Sequence, residues 1–295
     1  MKLSRNDIDF LTRCGLEAAL AATQYISSKT NQAHATELKS GTAELASQIV
    51  TEIDLESQRL ILEQLAESIQ KFDLGLLTEE SPDDGSRFTK EYFWCIDPLD
   101  GTLPFTERRA GYAVSIALID RKGQPIIGIV VDPFHMETYQ AVKGQGFLIN
   151  GMPLKFHSEQ KEDLVCHFDR SFVQSTVYAS TIKALESMSH SLGYKDLQIR
   201  TGAGAVMNAL GLLDVEAGCY FKFPKPYPGG GCIWDFAATS LIYEELGLHV
   251  SDIYGKQLAL NRKGSPYMNE SGIIYATDNE LSQQIVDLHR SILDQ

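Results

Sequence analysis

The sequence predicts a fold in two parts, an α+β half followed by an α/β half. Before residue 155, strand-like segments follow one another with short turns between them, which is typical of an antiparallel sheet. After Leu154, helix-like segments alternate with short apolar strands, which is typical of an α/β unit. We therefore expect domains at residues 1–157 and 158–295, with a cleft between them.

Two helices are predicted at the start of the chain. The first covers Asp7–Ser28, where Asp7 can cap the helix and apolar residues recur at three- and four-residue spacing. The next segment, Lys29–Leu45, is polar and rich in Ser, Thr and Ala, so a loop or short hairpin is expected there. The second helix is expected to open at Thr51 and to continue as far as Ile69.

The remaining elements follow from apolar runs that end at turn residues. Strands of the first half are expected at Phe93–Ile96, Tyr112–Ile119, Pro125–Val131 and Glu137–Val142, followed by a hairpin that turns at Asn150-Gly151. Helices of the second half are expected at Ser175–Leu192, Ala205–Ala217, Asp235–Leu246 and Asn279–Leu293. Its strands are expected at Leu164–Phe168, Leu197–Arg200, Gly218–Phe221 and Ile273–Ala276.

Charge and cysteine content narrow the function classes. The 295 residues include 26 basic and 39 acidic side chains, so binding to a nucleic-acid polymer through a general basic field is not expected. The five cysteines are odd in number and scattered, which favours reduced thiols in a cytoplasmic protein over a disulfide scaffold or a Cys zinc site. The N-terminus has no apolar signal segment and no apolar run is of membrane-spanning length, so no membrane association is expected.

The most informative stretch is Asp97–Thr102, which follows a buried strand and reads Asp-Pro-Leu-Asp-Gly-Thr. Its proline and glycine force a turn that can aim two carboxylates, a backbone carbonyl and a hydroxyl at one point. Hard oxygen donors of this kind suit Mg²⁺ rather than zinc. The backbone amides of Gly101 and Thr102 can face an anion. An ordinary strand-ending turn explains the same residues, since Asp-Pro and Asp-Gly are common turn pairs.

Further segments could join this turn, and each also has an ordinary structural explanation. Glu79-Glu80 ends its own apolar run, where an acidic pair is usually solvated surface. Asp235 and Asp54 stand at expected helix starts, where Asp is a common N-cap. Thr201–Ala205 is a glycine-rich entry to a helix, which either admits a ligand to the helix N-terminus or serves tight packing. The candidate substrate contacts in this entry are Ala203, Gly204 and Ala205.

In this order and at these spacings, the pieces resemble the inositol monophosphatase superfamily, which are Mg²⁺-dependent, lithium-sensitive phosphatases of small molecules. The resemblance covers roughly residues 8–290 and is carried by Trp94–Phe105 and Trp234–Gly247, with Val50–Asp54 and Glu79–Ser81 before them. It implies a layered, alternating helix–sheet sandwich. It also implies a small-molecule phosphate ester as substrate and a homodimer, although monomers also occur in the superfamily.

The resemblance implies two or three Mg²⁺ ions and a set of ligands for them. Glu79, Asp97 and the Leu99 carbonyl would hold the first ion, and Glu79 would help a third. Asp97, Asp100 and Asp235 would hold the second ion, so Asp97 would bridge. Mn²⁺ is an expected substitute and Li⁺ an expected inhibitor. Clustered carboxylates of this kind would repel one another without metal, which is an independent reason for them to bind cations.

Catalytic roles also follow from the resemblance. Asp54 and Thr102 would position and deprotonate the attacking water, with Glu79 beside them as a metal-holding catalytic residue. The Gly101 and Thr102 amides would hold phosphate oxygens. Cations beside a phosphate monoester can offset its charge, generate the nucleophile and stabilise the leaving alkoxide.

Two departures from the family pattern concern the substrate. Lys222 stands where inositol-cleaving members carry an acidic residue, and Pro104 stands where an asparagine is usual. A lysine there favours a second negative charge. The alternative to an inositol-monophosphatase-like activity is therefore that of a 3′(2′),5′-bisphosphate nucleotidase. Such an enzyme hydrolyses 3′-phosphoadenosine 5′-phosphate. Lys222, Lys225, Arg108 and Arg109 are either contacts for that charge or ordinary surface cations.

Two further possibilities remain at this stage. Fructose 1,6-bisphosphate is a third substrate type of the superfamily. A non-catalytic, metal-binding protein of the same fold is the remaining alternative, and it would be expected to lack one of the metal-holding carboxylates, all of which are present here.

Overall fold

A computed structural model describes residues 2–40, 43–154 and 162–293. The helices in these residues are α1 (Arg5–Ser40), α2 (Ala43–Phe72), α3 (Thr102–Thr106), α4 (Tyr178–Ser191), α5 (Ala205–Leu210), α6 (Ile233–Leu246) and α7 (Asn279–Leu293). The strands of the first sheet are β1 (Gly75–Thr78), β2 (Tyr92–Asp100), β3 (Ala113–Asp120), β4 (Pro125–Asp132), β5 (Glu137–Val142), β6 (Gly146–Ile149) and β7 (Met152–Pro153). Those of the second sheet are β8 (Leu164–Phe168), β9 (Leu197–Thr201), β10 (Gly218–Lys222), β11 (His249–Ser251) and β12 (Ile273–Ala276).

The two sheets differ in connection. In the first sheet the strands lie in sequence order from β1 to β7. All its neighbouring pairs are antiparallel except β1 and β2, which are parallel. The second sheet has the order β11-β12-β10-β8-β9, with β8 parallel to both β9 and β10. The expected antiparallel sheet in the first half of the chain and the expected mixed sheet in the second half are thus observed. The parallel β1–β2 pair is the one difference in the first sheet.

Helices and sheets alternate in five layers. The outward side chains of β3, Val114, Ile116 and Leu118, pack in one core with α1 and α2. The opposite face of the first sheet shares a core with α5 and α6, and α6 also contacts the second sheet. The far side of the second sheet packs against α4 and α7. This arrangement confirms the layered helix–sheet sandwich that the family resemblance implies.

Helix α6 is the central element of this sandwich. It is apolar on all sides, and its residues from Ile233 to Tyr243 are buried, as expected of a helix enclosed between two sheets. Gly128 of β4 allows the close approach, because a Cβ there would lie 2.6 Å from the Ala238 carbonyl oxygen. The Ser115 hydroxyl adds a hydrogen bond of 3.1 Å to the Trp234 carbonyl. The position of α6 against β3 and β4 is therefore tightly defined.

The predicted loop or hairpin at Lys29–Leu45 is wrong in its described part. Helix α1 continues to Ser40, and α2 begins at Ala43 rather than at Thr51. No glycine or proline occurs between Leu16 and Ser40, so nothing in that stretch breaks a helix once it has formed. The Ser and Thr content was therefore a poor guide, and Asp54 lies inside α2 rather than at a helix start.

Helix ends in the second half also differ from the prediction. The segment predicted as Ser175–Leu192 begins at Tyr178, and Ala205–Ala217 forms only a short α5 followed by a 3₁₀ turn at Gly211–Asp214. Glycine is a weak helix former, which explains the early end of α5. The predicted domain boundary at residue 157 lies outside the described residues, and the division into two domains stays a prediction. None of the described helices combines the length and apolar character needed to cross a membrane.

Candidate metal and phosphate site

A β-bulge at the end of β2 brings two aspartates to the same side of the strand. Asp97 pairs with Ser115 and Asp100 with Ala113, so β2 has one more residue than β3 between these pairs. In a regular strand, residues three apart point to opposite faces. The extra residue reverses that alternation, so both carboxylates face one point.

Asp235 completes an acidic cluster from the other side of the cavity. Ligand oxygens of Asp97, Asp100 and Asp235 all lie within 4.8 Å of one another. The exposed fractions of these residues are only 1%, 9% and 8%. Three buried carboxylates at this spacing, all oxygen donors, form a site of the kind that binds a hard divalent cation.

Asp235 is held by the start of α6. It is the third residue of the helix, and its Oδ2 accepts a hydrogen bond of 2.9 Å from the Cys232 backbone amide. The residue before this turn, Gly231, has φ +93°, and a Cβ there would lie 2.7 Å from Asp235 Oδ2. The expected N-terminal position of Asp235 is thus observed, and its second oxygen is available to the cluster.

Asp100 is held by the first turn of α5. Its two carboxylate oxygens accept hydrogen bonds from the amides of Ala205 (3.1 Å) and Val206 (2.8 Å). Gly204 permits this contact, because a Cβ there would lie only 2.3 Å from Asp100 Oδ2. The glycine-rich entry therefore packs directly against the acidic cluster.

Glu79 is brought to the cluster by the parallel pairing of β1 and β2. Thr78 pairs with Ile96, and the Glu79 amide donates to the Ile96 carbonyl, so Glu79 lies beside Asp97. Its side chain faces the cavity and remains partly exposed. Loss of hydration and the nearby Asp235 raise the pKa of Glu79 to about 7.

The electrostatics of the cluster fit a bound cation. Burial, together with the carboxylate of Glu79, raises the pKa of Asp97 well above its usual value. Burial, together with the carboxylate of Asp235, raises the pKa of Asp100 well above its usual value. Acids that disfavour one another's charge in a dehydrated site are stabilised as anions by a divalent cation. The donors and their charge therefore fit the Mg²⁺ that the sequence predicts.

Asp54 lies near the acids but not on the cavity wall. It is buried in α2, and its Oδ1 has no hydrogen-bond partner in the described part of the chain. Burial and the carboxylates of Glu80 and Glu79 raise the pKa of Asp54 to about 8. The Asp54 carboxyl can therefore hold a proton near neutral pH.

Gly101 and Thr102 turn the chain from β2 into α3. Gly101 has φ +83°, and a Cβ there would meet the Gly111 carbonyl oxygen at 2.6 Å, so only glycine fits. Thr102 is exposed at the first position of α3. Pro104 lies in the first turn of α3, where backbone amides have no acceptor within the helix. The lack of an N–H group in proline therefore costs no helical hydrogen bond there.

The acids line a cavity of about 320 Å³ between the two halves of the chain. Its wall contains predicted site residues from both halves, including Leu99 and Thr102 from the first. From the second half come the predicted substrate contacts Ala203, Gly204, Ala205 and Lys222. The Gly204 amide donates to Gly111 and the Ala205 amide to Asp100, so neither amide is free for a ligand.

The structure adds Asp169, a residue that the sequence analysis missed. Asp169 Oδ2 lies 2.7 Å from Lys222 Nζ, and its Oδ1 accepts hydrogen bonds from Tyr220 and Asn208. Burial alone would lower the pKa of Lys222, but the charges of Asp169 and Asp235 outweigh it, and the pKa is raised. Lys222 is therefore a charged ammonium that is already paired. Its one local feature is that it directly follows the predicted strand β8, and this position alone does not distinguish it from other aspartates.

Arg109 is also engaged. It forms an ion pair with Glu107 and donates a hydrogen bond of 2.6 Å to the Gly202 carbonyl oxygen. Glu107 also accepts from Arg170, and these two arginines lower its pKa to about 2. This cluster of charges joins the segment after α3 to the residues after β8 and β9, at the edge of the cavity.

Comparison with known proteins gives matches along almost the whole chain. The family described as "Inositol monophosphatase family" matches residues 7–293. Nus factor SuhB of Escherichia coli (strain K12) is 29% identical over 250 residues, which are 83% of this chain and 84% of that protein. Nus factor SuhB of Pasteurella multocida (strain Pm70) is 34% identical over 211 residues, 70% of this chain and 72% of that protein.

A solved structure has the same fold. The inositol monophosphatase from Anabaena (Nostoc) sp. PCC 7120 superimposes with a TM-score of 0.69 at 24% sequence identity. The match covers 97% of this chain and 96% of the Anabaena chain.

Proposed function

Because the chain belongs to the inositol monophosphatase family, we propose that it is a Mg²⁺-dependent phosphatase that hydrolyses a small-molecule phosphate monoester. The observation that carries this proposal is the convergence of Asp97, Asp100 and Asp235 within 4.8 Å. These residues come from two elements that are more than a hundred positions apart in sequence, and ordinary turn or cap roles do not require them to meet.

In this reaction the protein's side chains and backbone would hold the cations and orient the phosphate. Glu79, Asp97, the Leu99 carbonyl, Asp100 and Asp235 are the proposed cation ligands. Divalent cations in such a site lower the pKa of water and offset the charge of a phosphate dianion. The exposed first turn of α3 would direct its amides at the phosphate oxygens.

Proton transfer is assigned to Asp54 and Thr102. Burial and the carboxylates of Glu80 and Glu79 raise the pKa of Asp54 to about 8, and a cation at Glu79 would offset this and favour the ionised form, which is the form that can accept a proton. The Thr102 hydroxyl, which lines the cavity, would orient the attacking water, and Asp54, which lies off the cavity wall, would receive the proton through that hydroxyl.

The test is replacement of single acids by amides. Asp97→Asn and Asp235→Asn should each lower Mg²⁺-dependent turnover by about a hundredfold or more, since even residues that only support metal ligands cost about 10- to 100-fold. Asp287→Asn makes the same change at an exposed site on α7 and should be neutral. Near-normal turnover in either cluster variant, with circular dichroism showing an intact fold, would disprove the site.

A nucleoside bisphosphate remains the alternative substrate. It is supported by the positive charges of Lys222 and Lys225, but the pairing of Lys222 with Asp169 reduces the charge available to a ligand. The name of the SuhB relatives suggests a role other than hydrolysis, and the complete set of acids favours catalysis over that role. Initial rates with inositol 1-phosphate, 3′-phosphoadenosine 5′-phosphate and fructose 1,6-bisphosphate would distinguish the candidates.

A further inference from the structure

We infer that a second cavity beside the acidic one binds a flat aromatic group on the alcohol part of the substrate. This inference rests on the proposed phosphatase function and specifies the substrate class. The cavity measures about 220 Å³ and lies between the segment after β8 and the segment after β10. It shares Asp169 and Lys222 with the catalytic cavity, so the two are neighbours across that ion pair.

The walls of this cavity, called here the aromatic cavity, include the rings of Phe172, Phe221, Phe223 and Tyr227 beside the polar residues Ser171, Ser175 and Thr176. Phe221 and Phe223 lie 5.1 Å apart between ring centroids, and Phe172 packs on Phe223 at 5.9 Å with an interplanar angle of 75°. Edge-to-face clusters of this kind present ring faces and edges that suit another aromatic ring. Val177 and Pro224 extend the apolar surface.

The polar atoms of the cavity lie where a substituted ring could use them. Ser175 lines the cavity, and its hydroxyl oxygen is buried without a hydrogen-bond partner in the described residues. A buried hydroxyl without a partner carries a desolvation cost that a ligand's donor or acceptor would remove. Lys225 is held at the rim by its backbone, which exchanges hydrogen bonds with Asn269.

Continuity with the acidic cavity decides the occupant. A group bound against Phe172 and Phe223 can be linked covalently to a phosphate beside Asp97 and Asp235 across the Asp169–Lys222 pair, which lines both cavities. The ester linkage would pass beside this ion pair, in which Lys222 Nζ lies 2.7 Å from Asp169 Oδ2. The substrate class is therefore a phosphate monoester whose alcohol bears an aromatic ring.

The first test compares two esters on the wild-type protein with Mg²⁺. 2-Phenylethyl phosphate and ethyl phosphate release primary alcohols of similar reactivity, so a difference in rate reports binding of the ring. We expect kcat/KM for the phenylethyl ester to be about 10- to 100-fold higher, the effect of burying one aromatic ring, with most of it in KM. Equal values for the two esters would overturn the inference while leaving the phosphatase function intact.

A binding measurement separates this inference from catalysis. 3-Phenylpropylphosphonate and propylphosphonate cannot be hydrolysed, and their affinities can be measured by calorimetry in the presence of Mg²⁺. We expect the phenyl compound to bind more tightly by a similar factor, whether or not any ester is hydrolysed. Tighter binding without hydrolysis of any ester would count against the phosphatase function and not against the aromatic cavity. Equal affinities would overturn the aromatic cavity.

Filling the cavity provides a variant test. Val177→Trp places a large side chain in the cavity and should bring the ratio between the two phosphonate affinities close to one. Ser187→Trp adds the same bulk to an exposed position of α4 and should keep the wild-type ratio. A Val177→Trp protein that is folded and retains the full preference would contradict the inference, and the wild-type comparison stands if this variant does not fold.

Discussion

His167 shows how one buried side chain makes stability depend on pH. It lies in β8 and is only 6% exposed, and Gly211 leaves room for its ring, since a Cβ there would come within 2.7 Å of it. Burial and the nearby charge of Arg200 lower the pKa of His167 to about 4. The folded protein therefore keeps this imidazole neutral at pH values where the unfolded chain protonates it.

The sign of the effect follows from proton uptake. Between pH 6.5 and about 4 the unfolded state binds the additional proton, so the free energy of unfolding should fall as pH falls through this window. The His167 contribution to that fall is about 3 kcal/mol. His167→Gln should remove this part of the slope in urea denaturation series at several pH values. His190→Gln, at an exposed site on α4, should not change it, and an unchanged slope in His167→Gln would contradict the assignment.

The chemistry of single residues in the sequence also predicted much of the candidate site. The motif around Asp97 and the cap position of Asp235 indicated acids that the structure brings together. Asp169 was missed because a single aspartate after a strand has no distinctive spacing. Its importance comes from Lys222 and Tyr220, which reach it only through the parallel pairing of β8 with β10. Partners that depend on strand pairing cannot be read from local sequence.

At the scale of elements, the close packing of α6 on β4 controls the position of Asp235. Gly128→Ala would place a methyl group 2.6 Å from the Ala238 carbonyl oxygen, so the helix must shift. We expect a loss of about 1–3 kcal/mol in the free energy of unfolding, the usual cost of overpacking. We also expect weaker Mg²⁺ activation, because a shift of α6 moves Asp235 relative to Asp97.

The control for this prediction is Gly144→Ala. Gly144 has φ +71°, but a Cβ added there would have no atom within 4 Å, so only backbone strain of about 1–2 kcal/mol is expected. Denaturation curves and Mg²⁺ titrations of activity should show a stability loss in both variants and a loss of Mg²⁺ affinity only in Gly128→Ala. Equal Mg²⁺ affinities would show that α6 does not transmit the change.

Element prediction succeeded where periodicity and turns agree, as for β5 and β8, whose observed bounds match the prediction. It failed at Lys29–Ser40, where polar composition suggested a loop although no residue there breaks a helix. Composition describes which residues tolerate water, whereas helix formation depends on backbone propensity and on packing of the whole helix. At Asp97–Asp100 the sequence predicts a turn after a strand that ends at Ile96, whereas β2 continues to Asp100 through a bulge. Pro98 marks the irregularity, but pairing with β3 decides that it is a bulge.

At the scale of the whole molecule, the acidic cluster connects the first sheet with the helix layer between the sheets. Asp97 and Asp100 lie in the last four residues of β2, and Asp235 is the third residue of α6, so a cation bound by all three would hold these layers together. The layer order was expected only from the family resemblance, because residue patterns identify elements but do not specify which of them stack. The cavity follows from that order, since the end of β2 and the start of α6 meet only once α6 lies between the sheets.

This connection predicts that Mg²⁺ stabilises the folded protein. An ion that binds only the folded state at 100 times its dissociation constant adds about 2.7 kcal/mol to the free energy of unfolding. Thermal unfolding should therefore shift to higher temperature with Mg²⁺ and return on chelation, while NaCl at equal ionic strength should not reproduce the shift. Asp235→Asn should lose most of the stabilisation because it removes the ligand supplied by α6, whereas Asp287→Asn should keep it. A full Mg²⁺ shift in Asp235→Asn would mean that the ion is held by β2 alone.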